Sequence, residues 1–395
     1  MSPSGSGDRL GVRATAAGRV NLIGDHVDYM GGPVLPMAIE LGTTLEVSIG
    51  GDTVHLRSDA SPDVEVQGPA VIGLPVTEVD PHLPTWARYV AAVAVTLGAR
   101  TGISGTVCST LPSGVGLSSS AALEVAVALA LQAADARTPR HPGERVAAGF
   151  DDTQARSSGL TGADGSANLV HLARRCQEAE HLATGVPTGI MDQLTILAGQ
   201  DGQACLIDCA TLAIDQVPVP PEVAIWVLHS GQSRTLTGSA YGERRAVAEA
   251  AAEQVGPLVG ANPTDVEAIG DPVLRRRARH VNSEARRVIE FADALRNGDA
   301  RAAGRLMSES HRSLRDDYEV STAALDELVA DIESTPGVFG ARLTGAGFGG
   351  CVVALAEPGV DLNRHRRGSH LCLEVHPCRG TSVELEPLPE PDPLV

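Results

Sequence analysis

An α+β fold in two domains, with a functional cleft where they meet, is what the sequence predicts, on three observations. The chain has 395 residues, too many for one ordinary core and enough for two. Strand-like segments dominate residues 11–75, long helical segments dominate 239–334, and a strand–turn–strand follows at 338–355. Glycine-containing turns stand far apart in the chain, at 18–24, 114–116 and 345–350.

The elements follow in order. Residues 12–14 lead into 19–24, and 34–49 alternates between turn signals, as strands do. Residues 52–75 continue as short strands between Gly, Asp and Pro turns. Pro84 opens a helix that runs through Leu97. Ile103 and Val107 precede Leu111 and Pro112. Gly114 and Gly116 then make a tight turn before an apolar run, 121–134, that holds neither Gly nor Pro. This reads as extended chain, turn and helix. Residues 136–167, rich in Gly, Ser and charge, read as a surface excursion. A helix at 167–183 ends in the loop 185–189. Strands are expected at 204–208 and 224–228, and a charged helix at 239–253. A short helical stretch at 264–269 is expected to be capped by Thr264, and longer helices at 272–297, 300–317 and 323–334 follow. The Pro-rich, acidic tail from Pro387 is expected to be disordered.

Composition narrows the partners. Hydrophobic residues make up 43% of the chain but aromatics only 3%, so Val, Leu, Ile and Ala must build the core. The formal net charge of -18 argues against nucleic acid and anionic membrane. It does not argue against ATP, whose phosphates a local cradle and magnesium can hold. The chain contains no lysine, so any fixed cationic role falls to arginine. Seven cysteines are scattered, and only Cys205 and Cys209 lie close, without the second pair a zinc site needs. Free thiols in a reducing cytoplasm are expected. Residues 1–8 lack an apolar signal core, and no run is long and uninterrupted enough to suggest a membrane span.

The chemistry-bearing residues cluster around the glycines. A helix start leaves backbone amides unpaired and adds partial positive charge. Gly114 and Gly116 admit an anion closely, and Ser118, Ser119 and Ser120 add hydroxyls, so the turn is suited to cradle phosphate. No Gly-Lys-Ser/Thr follows, which excludes a Walker loop, and one Gly-x-Gly pair is no Rossmann fingerprint. The same turn also reads as a plain helix entry. Asp192, on a Gly-flanked loop, reads either as a helix cap or as the acceptor of a hydroxyl proton. Arg19, after Gly18 at the start of a short strand, reads by itself as a surface ion pair.

The segments 18–29, 114–122 and 343–350, in this order, resemble the three signature motifs of the GHMP kinases. The first, continued through 30–38, is similar to the galactokinase branch, as are Gly189-Ile190-Met191-Asp192-Gln193 and Tyr241 with Arg244 and Arg245. The resemblance covers most of residues 12–355. It implies the two-domain GHMP kinase fold, with a ribosomal-protein-like mixed β/α N-terminal domain (1–208) and an α/β-sandwich C-terminal domain (209–395). It implies ATP-dependent phosphorylation of the anomeric hydroxyl of galactose or a galacto-configured sugar, with ATP and magnesium as cofactors. Small molecules are then the partners, and the chain a monomer or weak homo-oligomer.

Asp192 becomes the catalytic base, and Arg19 the contact to the transferring phosphoryl group. Sugar recognition falls to Asp25, His26, Asp28, Gly189 and Tyr241. Nucleotide phosphates fall to Gly114, Val115, Gly116, Leu117, Ser118, Ser119 and Ser120, with Gly345 and Gly347 supporting by close backbone approach. Magnesium falls to Ser120 and Glu180, rather than Glu178. Trp86 and Tyr89 stand near the adenine or in the core.

The chain departs from the branch at Asp25, where Glu is usual. That residue normally meets the exocyclic hydroxymethyl group, and the shorter side chain leaves room for a modified or higher-carbon sugar. N-acetylgalactosamine, an arabinose or a uronic acid are further candidates. A catalytically silent, ligand-sensing regulator is the rival from another class, and intact Arg19, Ser120, Glu180 and Asp192 argue against it. The chain after Leu355 does not resemble the family's closing strand.

Overall fold

The computed structural model describes residues 10–58, 79–80, 82–112, 114–137, 166–186, 188–232, 237–368 and 370–387. Residues 138–165 of the excursion expected at 136–167, the strands expected within 59–75 and the tail beyond 387 lie outside the described residues, while 136–137 and 166–167 belong to helices.

In chain order the elements are β1 (Leu10–Asn21), β2 (Pro33–Val34), β3 (Pro36–Ile49), β4 (Val54–Ser58), α1 (Thr85–Leu97), β5 (Ile103–Ser109), α2 (Ser119–Arg137), α3 (Ser166–Thr184), α4 (Met191–Ala198), β6 (Gln203–Asp208), β7 (Ala213–Pro218) and β8 (Ala224–His229). There follow α5 (Thr237–Val255), α6 (Pro263–Glu267), α7 (Pro272–Arg296), α8 (Ala300–Asp316), α9 (Ala323–Glu333), β9 (Val338–Thr344), β10 (Cys351–Ala356), β11 (Cys372–Val375) and β12 (Thr381–Pro387). They form three sheets, ordered β12-β1-β3-β5-β4, β11-β8-β10-β9 and β2-β6-β7.

Strand β1 alternates as a half-buried strand must, with Val12, Ala14 and Ala16 turned into the core. Helix α2 packs behind β1 and β3. Its alanines, valines and leucines are buried almost all round, which suits a helix enclosed between a sheet and its neighbours. It is the one described helix long and apolar enough to cross a membrane, and 72% of its apolar window is buried inside the protein. In the second sheet, β8 and β10 are buried along their whole length.

Two features aim the site. The pairing of β1 with β3 shifts register between Ala17 and Gly18. A side chain at Gly18 would collide with Leu111 and with the Leu117 carbonyl oxygen. The bare backbone therefore docks on the loop before α2, where the Arg19 amide donates to the Leu117 carbonyl at 3.2 Å.

Two expectations need correction. The α6 turn is capped by Asn262, whose side chain accepts from the Thr264 amide at 3.0 Å, rather than by Thr264. Beyond Leu355 two further strands form: β11 joins β8, and β12 returns to pair antiparallel with β1. A single cut after residue 208 therefore does not separate the sheets, because the N-terminal sheet holds a C-terminal strand.

Candidate functional site

A cavity of about 480 Å³ opens where the three glycine turns meet. Its wall includes Arg19 and the turn through Asp28, the loop before α2, Glu180 of α3, the approach to α4, Tyr241 of α5, and Gly345 with Ala346 after β9. Residues more than 300 positions apart in sequence thus share one surface.

At its centre Arg19 and Asp192 form a two-pronged ion pair, Nε to Oδ1 at 2.7 Å and Nη2 to Oδ2 at 2.8 Å. Such a fork fixes direction as well as distance. The third arm of Arg19 donates to the Gly116 carbonyl at 2.6 Å. A guanidinium carries five N–H donors, so one on each terminal nitrogen remains for a ligand. Asp192 does not cap α4: Ile190 holds that position, with no side-chain cap. Asp192 lies within the first turn, where the helix end favours its negative charge.

The loop before α2 brings Gly114, Gly116, Ser118, Ser119 and Ser120 to the cavity. Gly114 and Gly116 both adopt positive φ, as a turn this tight requires. Val115 and Leu117 were expected to contact phosphate, but neither lines the cavity. Leu117 is 1% exposed and Val115 packs against the same core, so they anchor the loop from below. Gly347 also stays outside: it lies against Val320, whereas Gly345 reaches the wall. Tyr89 lines the cavity beside Ser120, to which it is hydrogen-bonded, and Trp86 does not.

Glu180 faces the cavity, whereas Glu178 is exposed and paired with Arg175 at 2.7 Å. Thr188 Oγ1 at 2.7 Å and Gln193 Nε2 at 3.0 Å both donate to Oε2 of Glu180. The same Gln193 nitrogen donates at 3.0 Å to Glu124, a fully buried carboxyl one helical turn after Ser120. Burial, then the Glu180 charge, pushes Glu124 well above the usual carboxyl range. Burial, then Asp192, raises Glu180 as well. No group of three His, Cys, Asp or Glu able to hold a metal occurs among the described residues. A half-buried carboxylate, a nearby hydroxyl and an excess of negative charge still fit a hard cation whose remaining ligands are waters and phosphate oxygens.

The opposite wall carries Asp25, His26, Asp28, Gly189 and Tyr241. A side chain at Gly189 would run into the Asp28 carboxylate, so the glycine is what lets that acid approach. Burial raises Asp28 to about 6, with Asp192 and Asp25 adding to the shift against its hydrogen bond from the Tyr29 amide.

Asp25 and His26 both line the cavity, and each is also bonded within the protein. Asp25 pairs with the fully buried Arg342, and its Oδ1 accepts from the Gly345 amide at 2.9 Å. This carboxylate holds the first glycine turn to the third. His26 Nε2 meets the Ala346 carbonyl at 3.1 Å, so that nitrogen must carry the proton. Nδ1 then accepts from Tyr29 Oη at 3.1 Å. Both ring nitrogens are engaged within the protein, and burial lowers the imidazole to about 4, keeping it neutral. Tyr29 in turn meets Tyr318 Oη at 2.7 Å. Three of the four tyrosines thus gather round His26, whose ring lies 5.5 Å from Tyr241 and 4.9 Å from Tyr318.

Sequence reasoning passed over Glu124, Gln193, Thr188, Tyr29, Tyr318 and Arg342. Glu124 left a signal, as the lone charge in the apolar run 121–134. Arg342 left none, since its partner lies 317 positions away.

Comparisons with known proteins fall on the same segments. The model of the galactokinase galactose-binding signature matches residues 6–49, that of the GHMP kinases N terminal domain 87–150, and that of the GHMP kinases C terminal 291–367. The galactokinase of Homo sapiens is 42% identical over 353 residues, covering 87% of this chain and 83% of its own. That of a Roseiflexus species is 37% identical over 367 residues, covering 89% and 85%. The crystal structure of Lactococcus lactis galactokinase complexed with galactose aligns with a TM-score of 0.79 at 29% identity, covering 94% of this chain and 95% of that one. A mevalonate kinase aligns at 0.59 with 18% identity, covering 92% and 98%, a likeness of fold alone.

Proposed function

The chain belongs to the galactokinase family and carries the GHMP kinase fold, and from that premise we propose that it transfers the terminal phosphoryl group of ATP to the anomeric hydroxyl of galactose. The observation that carries this reading is the forked Arg19–Asp192 pair, set between a helix N-terminus and a wall of sugar-sized polar groups.

The amides opening α2 receive the nucleotide phosphates, with Ser119 and Ser120 adding hydroxyl donors. Arg19 offers its two remaining N–H groups to the phosphoryl oxygens, whose charge spreads during transfer. Asp192 accepts the proton of the attacking hydroxyl. Asp28, the Gly189 backbone and Tyr241 hold the sugar so that this hydroxyl meets Asp192. Magnesium, held by Glu180 and Ser120, would neutralise phosphate charge; both residues line the cavity, which supports that placement. The seven cysteines are free thiols, which suits a reducing cytoplasm.

The test is a panel of free sugars with ATP, scored by the position of phosphate in the product. Galactose 1-phosphate is expected. Phosphate at any other hydroxyl would overturn the assignment.

A pH dependence follows from Asp28. Its folded value near 6 means that the carboxylate is protonated below that pH. It then loses its charge and one acceptor site, and so holds sugar hydroxyls less well. The kcat/KM for the sugar should fall as pH drops through about 6, while ATP affinity holds level. A flat sugar profile between pH 5 and 7 would remove Asp28 from the sugar site.

A second reading is favoured by Asp25. Its oxygens serve Arg342 and Gly345 first, so the exocyclic end of the sugar lacks a dedicated acceptor. A galacto-configured sugar enlarged at that end would then be the preferred substrate. Efficient turnover of galactose, with sugars altered at that end turned over more slowly, would sink this alternative.

A further inference from the structure

Ser118 is the one residue of the phosphate loop with a non-glycine side chain at positive φ, 59°. L-residues adopt that region rarely, and chiefly where the surroundings over-determine it. Three contacts hold it there. Leu117 before it is sunk in the core, with its carbonyl bound by the Arg19 amide. The Ser118 carbonyl accepts the Ala122 amide at 3.0 Å, the first bond of α2. The Ser118 hydroxyl, 8% exposed as a residue, donates to Asp192 Oδ2.

A serine hydroxyl has a single hydrogen, and an ionised carboxylate can only accept. The hydrogen of Ser118 is therefore spent on Asp192 and is absent from any phosphate. Asp192 Oδ2 takes two donors, Ser118 Oγ and Arg19 Nη2, whereas Oδ1 takes only Arg19 Nε. The two oxygens are thus unequal.

We propose that Ser118 is a positioning residue rather than a phosphate ligand: it saturates Oδ2 of Asp192 and leaves Oδ1 as the oxygen that meets the attacking hydroxyl. The inference rests on the reading of Asp192 as the base. It ties the loop that receives the nucleotide directly to the group that receives the proton.

The test pairs two variants with one background. Ser118→Ala removes the hydroxyl. Ser118→Gly removes it too, and glycine adopts positive φ freely, so this variant keeps the loop even if the alanine strains it. Both are expected to lower kcat by about 100-fold, the scale of a misplaced reacting group. ATP affinity, measured by calorimetry without sugar, should stay within about twofold. In Asp192→Asn, adding Ser118→Ala should cost nothing further, because residues acting through one another are not additive. Weakened ATP binding with unchanged kcat, or a full additional loss in the asparagine background, would overturn the proposal. Near-normal turnover by Asp192→Asn alone would instead sink the assignment of the base, whatever Ser118 does.

Discussion

Asp192→Asn is expected to lower kcat by about 10²–10⁴-fold, the usual contribution of a positioned proton acceptor, with ATP affinity unchanged. The substitution keeps size and shape but removes the charge and half of the acceptors. Asparagine cannot take a proton from a sugar hydroxyl. Its amide must also turn one N–H group toward either Arg19 or Ser118, both of which donate to the carboxylate in the wild type. Arg19 keeps its bond to the Gly116 carbonyl, so the loop that meets the phosphates stays tethered. The measurement is steady-state turnover alongside calorimetric titration with ATP. A variant that retained more than a tenth of wild-type kcat would mean that Asp192 orients the hydroxyl without receiving its proton.

The second large effect is on stability. Asp25→Ala is expected to cost about 3–5 kcal/mol, the range for breaking a buried ion pair by removing one partner. Arg342 is fully buried on β9, and apart from Asp25 it donates to the Leu22 carbonyl at 3.1 Å. Glu284, whose carboxyl feels the Arg342 charge, is already paired with Arg287 at 2.8 Å. Although burial opposes it, Arg287 and Arg342 together hold the Glu284 carboxyl down at about 2. Losing Asp25 also frees the Gly345 amide and unties the third glycine turn from the first. Urea denaturation should show the midpoint falling sharply for alanine and less for Asp25→Asn, which keeps acceptor geometry on one oxygen. A loss below about 1 kcal/mol, the level of an exposed pair, would mean that Glu284 alone satisfies Arg342.

Much of the site was legible because it is encoded locally. Gly18 and Gly189 mark places where backbone or carboxylate must come close, Gly114 and Gly116 mark a turn at positive φ, and a glycine announces either in its own sequence neighbourhood. Asp192 and Arg19 stand within such neighbourhoods. Helix α7 was legible for the same reason, with Asp271 accepting from the Val273 amide at 2.7 Å just ahead of Pro272. What escaped depends on partners that only the fold supplies. Asp25 and His26 look like ligand groups in sequence, since Tyr29, three positions after His26, is the one close neighbour in sequence that bonds to either side chain. Arg342, Ala346 and Tyr318, all from beyond residue 315, take up the bonds of that turn. The direction of Ser118 depends on a backbone angle that a run of three serines does not disclose. Strand β12 escaped because an edge strand of seven residues, TSVELEP, has little apolar pattern of its own. Its identity comes from β1, with which it exchanges hydrogen bonds.

That last pairing has a consequence for biosynthesis. Ala16 lies opposite Thr381, so the strand that carries Arg19 waits for its outer neighbour until residues 381–387 have been made. At about 5–20 residues per second, the β1 edge stays open for roughly 20–70 s after it leaves the ribosome. An open edge is a template for foreign strands, and long-range closure is slow by its nature. Until translation reaches residues 381–387, the nascent kinase holds Arg19 on a sheet with one unpaired border.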